Sequence, residues 1–163
     1  MTDSDDLFMR EALREAEKAA ADGEVPVGAV AVKDGLIIAR GRNAAISDCD
    51  PTAHAEMKIL RRAARHLGNY RLSGVCVYVT LEPCLMCYAA MVHARIERLV
   101  FGAHDPKTGV VSTGALERVA AVFNHAVLLE GGCLRAQCSK IVRDFFKVRR
   151  GAGAVERGGL ENR

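Results

Sequence analysis

The chain has 163 residues, half of them hydrophobic and 26% charged, enough for one domain with a sizeable core and too apolar for a disordered chain. A formal net charge of +3 permits a polyanionic partner without requiring one. No apolar run approaches the roughly 18 residues of a membrane span, and the acidic start "MTDSDDLFMREALREA" lacks the basic head and apolar block of a signal peptide.

The expected setting is therefore the cytoplasm, with no membrane, where thiols stay reduced. Cys49, Cys76, Cys84, Cys87, Cys133 and Cys138 then read as core residues and metal ligands, not as a disulfide framework.

Along the chain, Met9, Leu13, Ala16 and Ala20 mark one stripe of an amphipathic first helix. Ser4 or Asp3 is placed to cap it, and Gly23 to end it. "VPVGAVAVKDGLIIARGRN" reads as two strands around an Asp34-Gly35 hairpin turn. "DPTAHAEMKILRRAARHLG" opens with proline helix-start chemistry and closes at Gly68. "VCVYVT" is a continuous buried strand, Cys84 to His93 a helix, "IERLVFG" a strand and "HAVLLEGG" a last short strand. Leu134, Cys138, Ile141, Phe145 and Val148 trace the buried stripe of a C-terminal helix. The stretch between "IERLVFG" and "HAVLLEGG" reads as a loop. The domain is expected over residues 1–150, with residues 151–163, "GAGAVERGGLENR", as a disordered tail. This order predicts an α/β protein, a mixed sheet with helices on both faces, whose function gathers where strands end and helices begin.

"TLEPCLMC" raises three possibilities for Cys84 and Cys87: a redox pair, half of a structural zinc site, or two ligands of a working metal. At i, i+3 on a helix their Cβ atoms lie about 5–6 Å apart, within reach of one ion. "TAHAEM" supplies the missing partner. His54, Cys84 and Cys87 make the three-ligand set of a catalytic zinc, with one coordination position left open. Glu56 lies about 200° around a regular helix from His54, so the two converge only beyond the helix tip. Glu56 is therefore read as the proton acceptor beside the metal's water, not as a ligand. A thioredoxin-like redox setting is not supplied by the hairpin start. A closed structural site would need a fourth ligand, and His93, Cys76 and Cys49 lack ligand spacing.

HxE followed by PCxxC is the signature of zinc nucleobase deaminases, and the chain resembles that family. More narrowly, it is similar to the bacterial tRNA-specific adenosine deaminases through "EVPVGAV", "DPTAHAE", "NYRL", "YVTLEPCLMC", "RLVFGAHDPKTG", "NH" and "DFFKVRR". The resemblance implies a three-layer α/β/α cytidine-deaminase-like fold with a mixed five-stranded sheet, a Zn2+ cofactor and a homodimer. It implies hydrolysis of the wobble adenosine of a tRNA anticodon to inosine, with a zinc-held hydroxide attacking C6 and Glu56 shuttling protons. Carried over position by position, Asn43 holds the flipped nucleoside, a backbone N–H near Cys84 polarises the reacting group, and Asp105 and Lys107 meet the anticodon. Asn124 belongs to the "NH" contact, and Phe146 is placed to stack on a splayed base. Asp105 also has a plainer reading as an Asp-Pro turn starter, and Asn124-His125 as a turn before the last strand. The chain departs from the family pattern at Ala126, where a basic residue is common, and in "VVSTGALERV". Two other functions remain open: a free-base or nucleotide deaminase acting on guanine or cytosine, and a catalytically silent RNA-binding subunit that keeps zinc for stability.

Overall fold

The computed structural model describes residues 1–158, with side chains described through Gly151. Five strands form one sheet in the order β2-β1-β3-β4-β5. β1 (Gly28–Lys33) and β2 (Leu36–Arg42) form an antiparallel hairpin, whose turn residues Asp34 and Gly35 both have positive φ, the twist a two-residue hairpin favours. β1 also pairs antiparallel with β3 (Val75–Leu81). β3, β4 (Arg98–Ala103) and β5 (Leu128–Gly131) run parallel. The sheet is mixed, as the hairpin followed by alternating helices and strands requires.

Alternation along the central strands sends side chains into two cores. Ala29, Ala31, Val75, Val77, Val79, Leu99 and Phe101 face one core, with Ile59, Leu60 and Ala63 of α2 (Ala55–Leu67) and Tyr88, Met91 and Val92 of α3 (Leu85–His93). Val30, Val32, Tyr78 and Val100 face the other, with Met9 and Ala12 of α1 (Asp3–Ala21) and Cys138 of α5 (Arg135–Gly158). Burial on both faces explains why β1, β3 and β4 read as unbroken apolar runs. α1 lies so close to β1 that a Cβ at Gly28 would overlap the Ala12 carbonyl.

Helix ends differ from expectation in informative ways. Thr2, not Ser4 or Asp3, caps α1, in a reciprocal capping box with Asp5. The buried face of α1 is Met9, Ala12, Ala16 and Ala19, rotated from the expected stripe, so Leu13 and Ala20 line a cleft toward α5. α2 starts at Ala55, because the carboxylate of Asp50 accepts hydrogen bonds from the Thr52 N–H and hydroxyl, holding Asp50 to Thr52 in a turn. It ends at Gly68 in the left-handed region. The stretch read as a loop contains α4 (Ala115–Val119) and a 3-10 turn over Ala120–Val122, elements too short for periodicity to reveal.

The stripe of α5 is only partly buried. Cys138 is buried, whereas Val148 is 73% exposed. The helix is described to Gly158, inside the segment expected to be a tail, and residues 159–163 of that segment lie outside the described residues. Among the described residues, no helix is long and apolar enough to cross a membrane.

Candidate active site

Two β-to-α junctions meet at one end of the sheet. His54 is the N-cap of α2 and Cys84 the N-cap of α3, both with extended backbone and neither making a side-chain cap hydrogen bond. The side chains that would ordinarily close these helix ends are instead an imidazole and a thiol turned toward each other. Because His54 precedes the first helical residue, the 200° separation from Glu56 on a helical wheel does not apply. Both side chains line one cavity.

Asn43 completes the α2 end. Its Oδ1 accepts a hydrogen bond from the Ala55 N–H at 2.9 Å, which leaves its side-chain NH2 as a donor for something else.

The Sγ atoms of Cys84 and Cys87 lie 3.7 and 3.4 Å from Nδ1 of His54, and the three potential ligand atoms fall within 4.8 Å of one another. A tetrahedral centre bonded to nitrogen at about 2.0–2.1 Å and sulfur at about 2.3 Å holds such atoms about 3.6 Å apart. The donor set and its spacing therefore fit zinc, and Cys49, Cys76, Cys133 and Cys138 take no part in the group.

Electrostatics separates the groups sharply. A hydrogen bond from Cys87 and one from His54, against the effect of burial, bring the Cys84 thiol down to about 4. The Cys87 thiol moves far up, through its bond to the Cys84 sulfur, its burial and the nearby Glu56. Two adjacent thiols hold one negative charge between them, and a divalent cation is what lets both ionise. His54 is raised by its hydrogen bond to Cys84. Glu56 is 3% exposed. Burial pushes its carboxyl up to about 7, against the pull of its own backbone N–H and of His54. A carboxyl poised there exchanges protons readily at neutral pH.

The cavity measures about 240 Å³ and is lined by Val25, Val27, Asn43, His54, Glu56, Leu81, Glu82, Cys84, Asp105 and Thr108. Its lining mixes apolar side chains (Val25, Val27, Leu81) with polar ones, and its volume suits a flat heteroaromatic group of about the size of one base.

A family described as "Cytidine and deoxycytidylate deaminase zinc-binding region" matches residues 2–103. The chain belongs to this deaminase family. It is 45% identical to the tRNA-specific adenosine deaminase of Haemophilus influenzae over 159 residues, which cover 97% of this chain and 92% of that protein. It is also 45% identical to the protein of the same description from Bacillus subtilis over 143 residues, covering 88% and 89%. A solved structure from studies of A-to-I editing by tRNA:A34 deaminases at the wobble position superposes with a TM-score of 0.80 at 45% identity, covering 83% of this chain and 98% of that one. A guanine deaminase from Bacillus subtilis superposes less well, with a TM-score of 0.60 at 35% identity over 71% and 69%. The α/β/α architecture with its mixed five-stranded sheet is thus the cytidine-deaminase-like fold.

In this deaminase-family chain the residues read from sequence fall into three places. His54, Glu56, Cys84, Asn43 and Asp105 line the cavity, and Cys87 lies buried behind it. Lys107 is exposed on the same loop as Asp105. The Asp105 carboxylate accepts from the Lys107 N–H at 2.9 Å and from the Thr108 hydroxyl at 2.6 Å, so the turn-forming reading of Asp105 describes its contacts. Asn124 lies elsewhere. It precedes β5, which begins opposite Arg98, and it lines a separate recess with Tyr88 and Phe123. Phe146, 41% exposed, stands on α5 with its ring 5.4 Å from that of Phe145, and it does not line the cavity.

Sequence reasoning missed two buried glutamates beside the site. Glu24, 3% exposed, accepts hydrogen bonds from the Ile46 and Ser47 N–H groups and the Ser47 hydroxyl, holding the loop between β2 and α2. Glu82, also 3% exposed, does the same for the loop after β4. Burial opposes ionisation of each, and the hydrogen bonds outweigh it, so both carboxyls lie below the ordinary range. The available signal was an acid set against an apolar run in "GEVPVG" and "VTLEPC", since unpaired charges are seldom buried.

Proposed function

We propose that this chain hydrolyses the wobble adenosine of a tRNA anticodon loop to inosine, releasing ammonia. The observation that carries the reading is Glu56, a buried carboxyl near neutrality beside an imidazole and two thiols spaced for one metal. The tRNA comes from the relatives, whose descriptions specify it and whose similarity spans nearly the whole chain.

His54, Cys84 and Cys87 are assigned as the holders of Zn2+, with residues 1–150 as the deaminase domain. The chemistry zinc supplies when bound in such a site is the acidification of a water to a pKa of about 7. Glu56 would take a proton from the attacking water, deliver it to the adenine ring nitrogen, and then carry a proton to the departing amine, so that adenosine and water become inosine and ammonia. Burial raises the proton affinity of Glu56, which makes it a stronger base for the first transfer and lets it hold the proton until it is handed on.

Asn43 is assigned to the nucleoside, through the side-chain NH2 that its bond to Ala55 leaves unused. A backbone N–H near Cys84, at the start of α3, is assigned to polarising the reacting group. Asp105 shapes the mouth, Lys107 offers a charge to phosphate, and Phe146 offers a ring for stacking. Phe146 and Asn124 lie outside the cavity, so they contribute only to an RNA longer than the flipped base. A homodimer in the cytoplasm completes the reading. The cleft between α2 and α3, lined by Met57, Leu60, Ala64 and the 68% exposed Tyr70, is the face offered to a second copy.

The deciding experiment incubates the zinc-loaded protein separately with an anticodon stem-loop, guanine and cytosine, and identifies the product. Inosine at the wobble position supports the proposal. Xanthine or uracil without inosine would make the chain a free-base deaminase, and no product with any substrate would favour a silent RNA-binding subunit.

A further inference from the structure

Part of the cavity wall, Asp105 and Thr108, belongs to the segment from His104 to Thr113, a run of turns between β4 and α4. Such a segment has little stiffness of its own. What holds it is Glu82. One carboxylate oxygen accepts from the Val111 and Ser112 N–H groups, each at 2.8 Å. The other accepts from the Asp105 N–H at 2.9 Å and from the Ser112 hydroxyl, with Nδ1 of His104 at 3.3 Å. Among the described residues no Lys or Arg pairs with this carboxylate. A buried charge without a lysine or arginine is costly, and it persists here because four donors converge on it.

The same loop is tied to the chain just beyond Glu82. Val110 N–H donates to the Pro83 carbonyl at 3.0 Å, and Gly109 bridges to Cys84. Three consecutive residues therefore carry the anchor of the wall and one of the sulfurs facing His54. Gly109 is needed for this approach: a Cβ there would overlap the carboxyl carbon of Glu82 and the carbonyl of Asp105.

We infer that Glu82 is a positioning residue for the deamination, setting the place of Asp105 and Thr108 in the cavity wall and so the fit of the extruded base. The inference rests on the proposed function for the identity of that base. Only an acceptor-only group suits the position. A glutamine would turn its NH2 toward one pair of donors, leaving them facing a donor, while a purely space-filling role would be met by glutamine equally well.

The test uses the zinc-loaded full chain and compares wild type with Glu82→Gln and Gly109→Ala, the second of which displaces the loop without changing any charge. The expected result is a KM for the anticodon stem-loop raised roughly tenfold or more in both. Zinc per chain is unchanged and kcat falls far less than KM rises. Amide exchange across 105–112 should be faster in both variants, and Glu82→Gln/Gly109→Ala should be little worse than either alone. Loss of zinc, a fall in kcat at unchanged KM, or unaltered exchange across 105–112 would each overturn the inference. Should wild type leave the stem-loop unmodified, the proposed substrate fails, while the exchange and zinc measurements still decide whether Glu82 holds the wall.

Discussion

Asp5 and Glu56 are both carboxylates buried almost completely, at 1% and 3% exposure, and the fold treats them in opposite ways. Asp5, at the start of α1, receives two bonds from the Arg98 guanidinium, at 2.7 and 3.0 Å, and one from the Tyr78 hydroxyl at 2.7 Å. These hold its carboxyl well below the usual range, chiefly through Arg98 and in spite of burial. Arg98 in turn reaches Glu130 on β5, so this cluster ties α1, β3, β4 and β5 together. Glu56 has no guanidinium, and burial pushes it up to about 7. Burial alone does not decide ionisation. The partners do: a guanidinium and a hydroxyl meet Asp5, and among the described residues no guanidinium meets Glu56.

The largest expected effect breaks the site itself. Cys84→Ser and Cys87→Ser should each lose zinc and all measurable turnover, because serine offers no soft thiolate; metal analysis beside the activity assay checks this.

Glu56→Ala should keep both zinc and fold while turnover drops by about 10²–10⁴-fold, the usual cost of removing a positioned acid–base group. Zinc loss from that variant would make Glu56 a ligand and reverse its assigned role.

Arg98→Leu attacks the other region. It leaves buried Asp5 without its cation, held only by Tyr78 and Thr2, so stability should fall by about 3–5 kcal/mol, toward the lower end since those bonds remain and Arg98 itself is partly exposed. Denaturant melts would measure it, and zinc content should not change.

The sign of the pH effect sharpens the contrast. Asp5 has a folded pKa below its unfolded value of about 3.9, so the unfolded chain binds more protons between the two. Its stabilisation is full above about pH 4 and is lost as pH falls toward the folded value. Wild type should therefore lose stability below about pH 4 more steeply than Asp5→Asn. Parallel acid melts of the two proteins would show it, and equal slopes would mean that Asp5 is not held ionised.

Smaller still is Phe146→Ala, expected to weaken stem-loop processing roughly tenfold through loss of one stacking platform with zinc unchanged. Single-turnover rates equal to wild type would remove Phe146 from the RNA surface.

Much of this was legible in the residues. Asp34-Gly35 forms the hairpin turn, Gly68 closes α2, and the unbroken apolar runs of β1 and β3 are buried on both faces. His54 and Cys84, separated by thirty residues, could be paired because each stands at a strand-to-helix junction, where the backbone period changes and side chains leave the regular pattern. Less legible were the short α4, the turn that delays α2 to Ala55, and the rotated buried face of α1. Each depends on a few local hydrogen bonds or on which neighbour a helix meets.

By itself, then, the sequence determined the layer architecture and the pairing of His54 with Cys84 and Cys87, since hydrophobic period and ligand type are properties of residues and their spacing. Only the tertiary structure decided where charge is satisfied. Glu24, Glu56 and Glu82 are all glutamates near a glycine, proline or histidine in sequence. Their different ionisation follows from which N–H groups, hydroxyls and thiols the fold brings to each carboxylate. The separation of Asn124 and Phe146 from the cavity is likewise set by strand order and by the path of α5. Hydrogen bonds and burial act over a few ångströms between segments far apart in the chain, and no local pattern records which segments will meet.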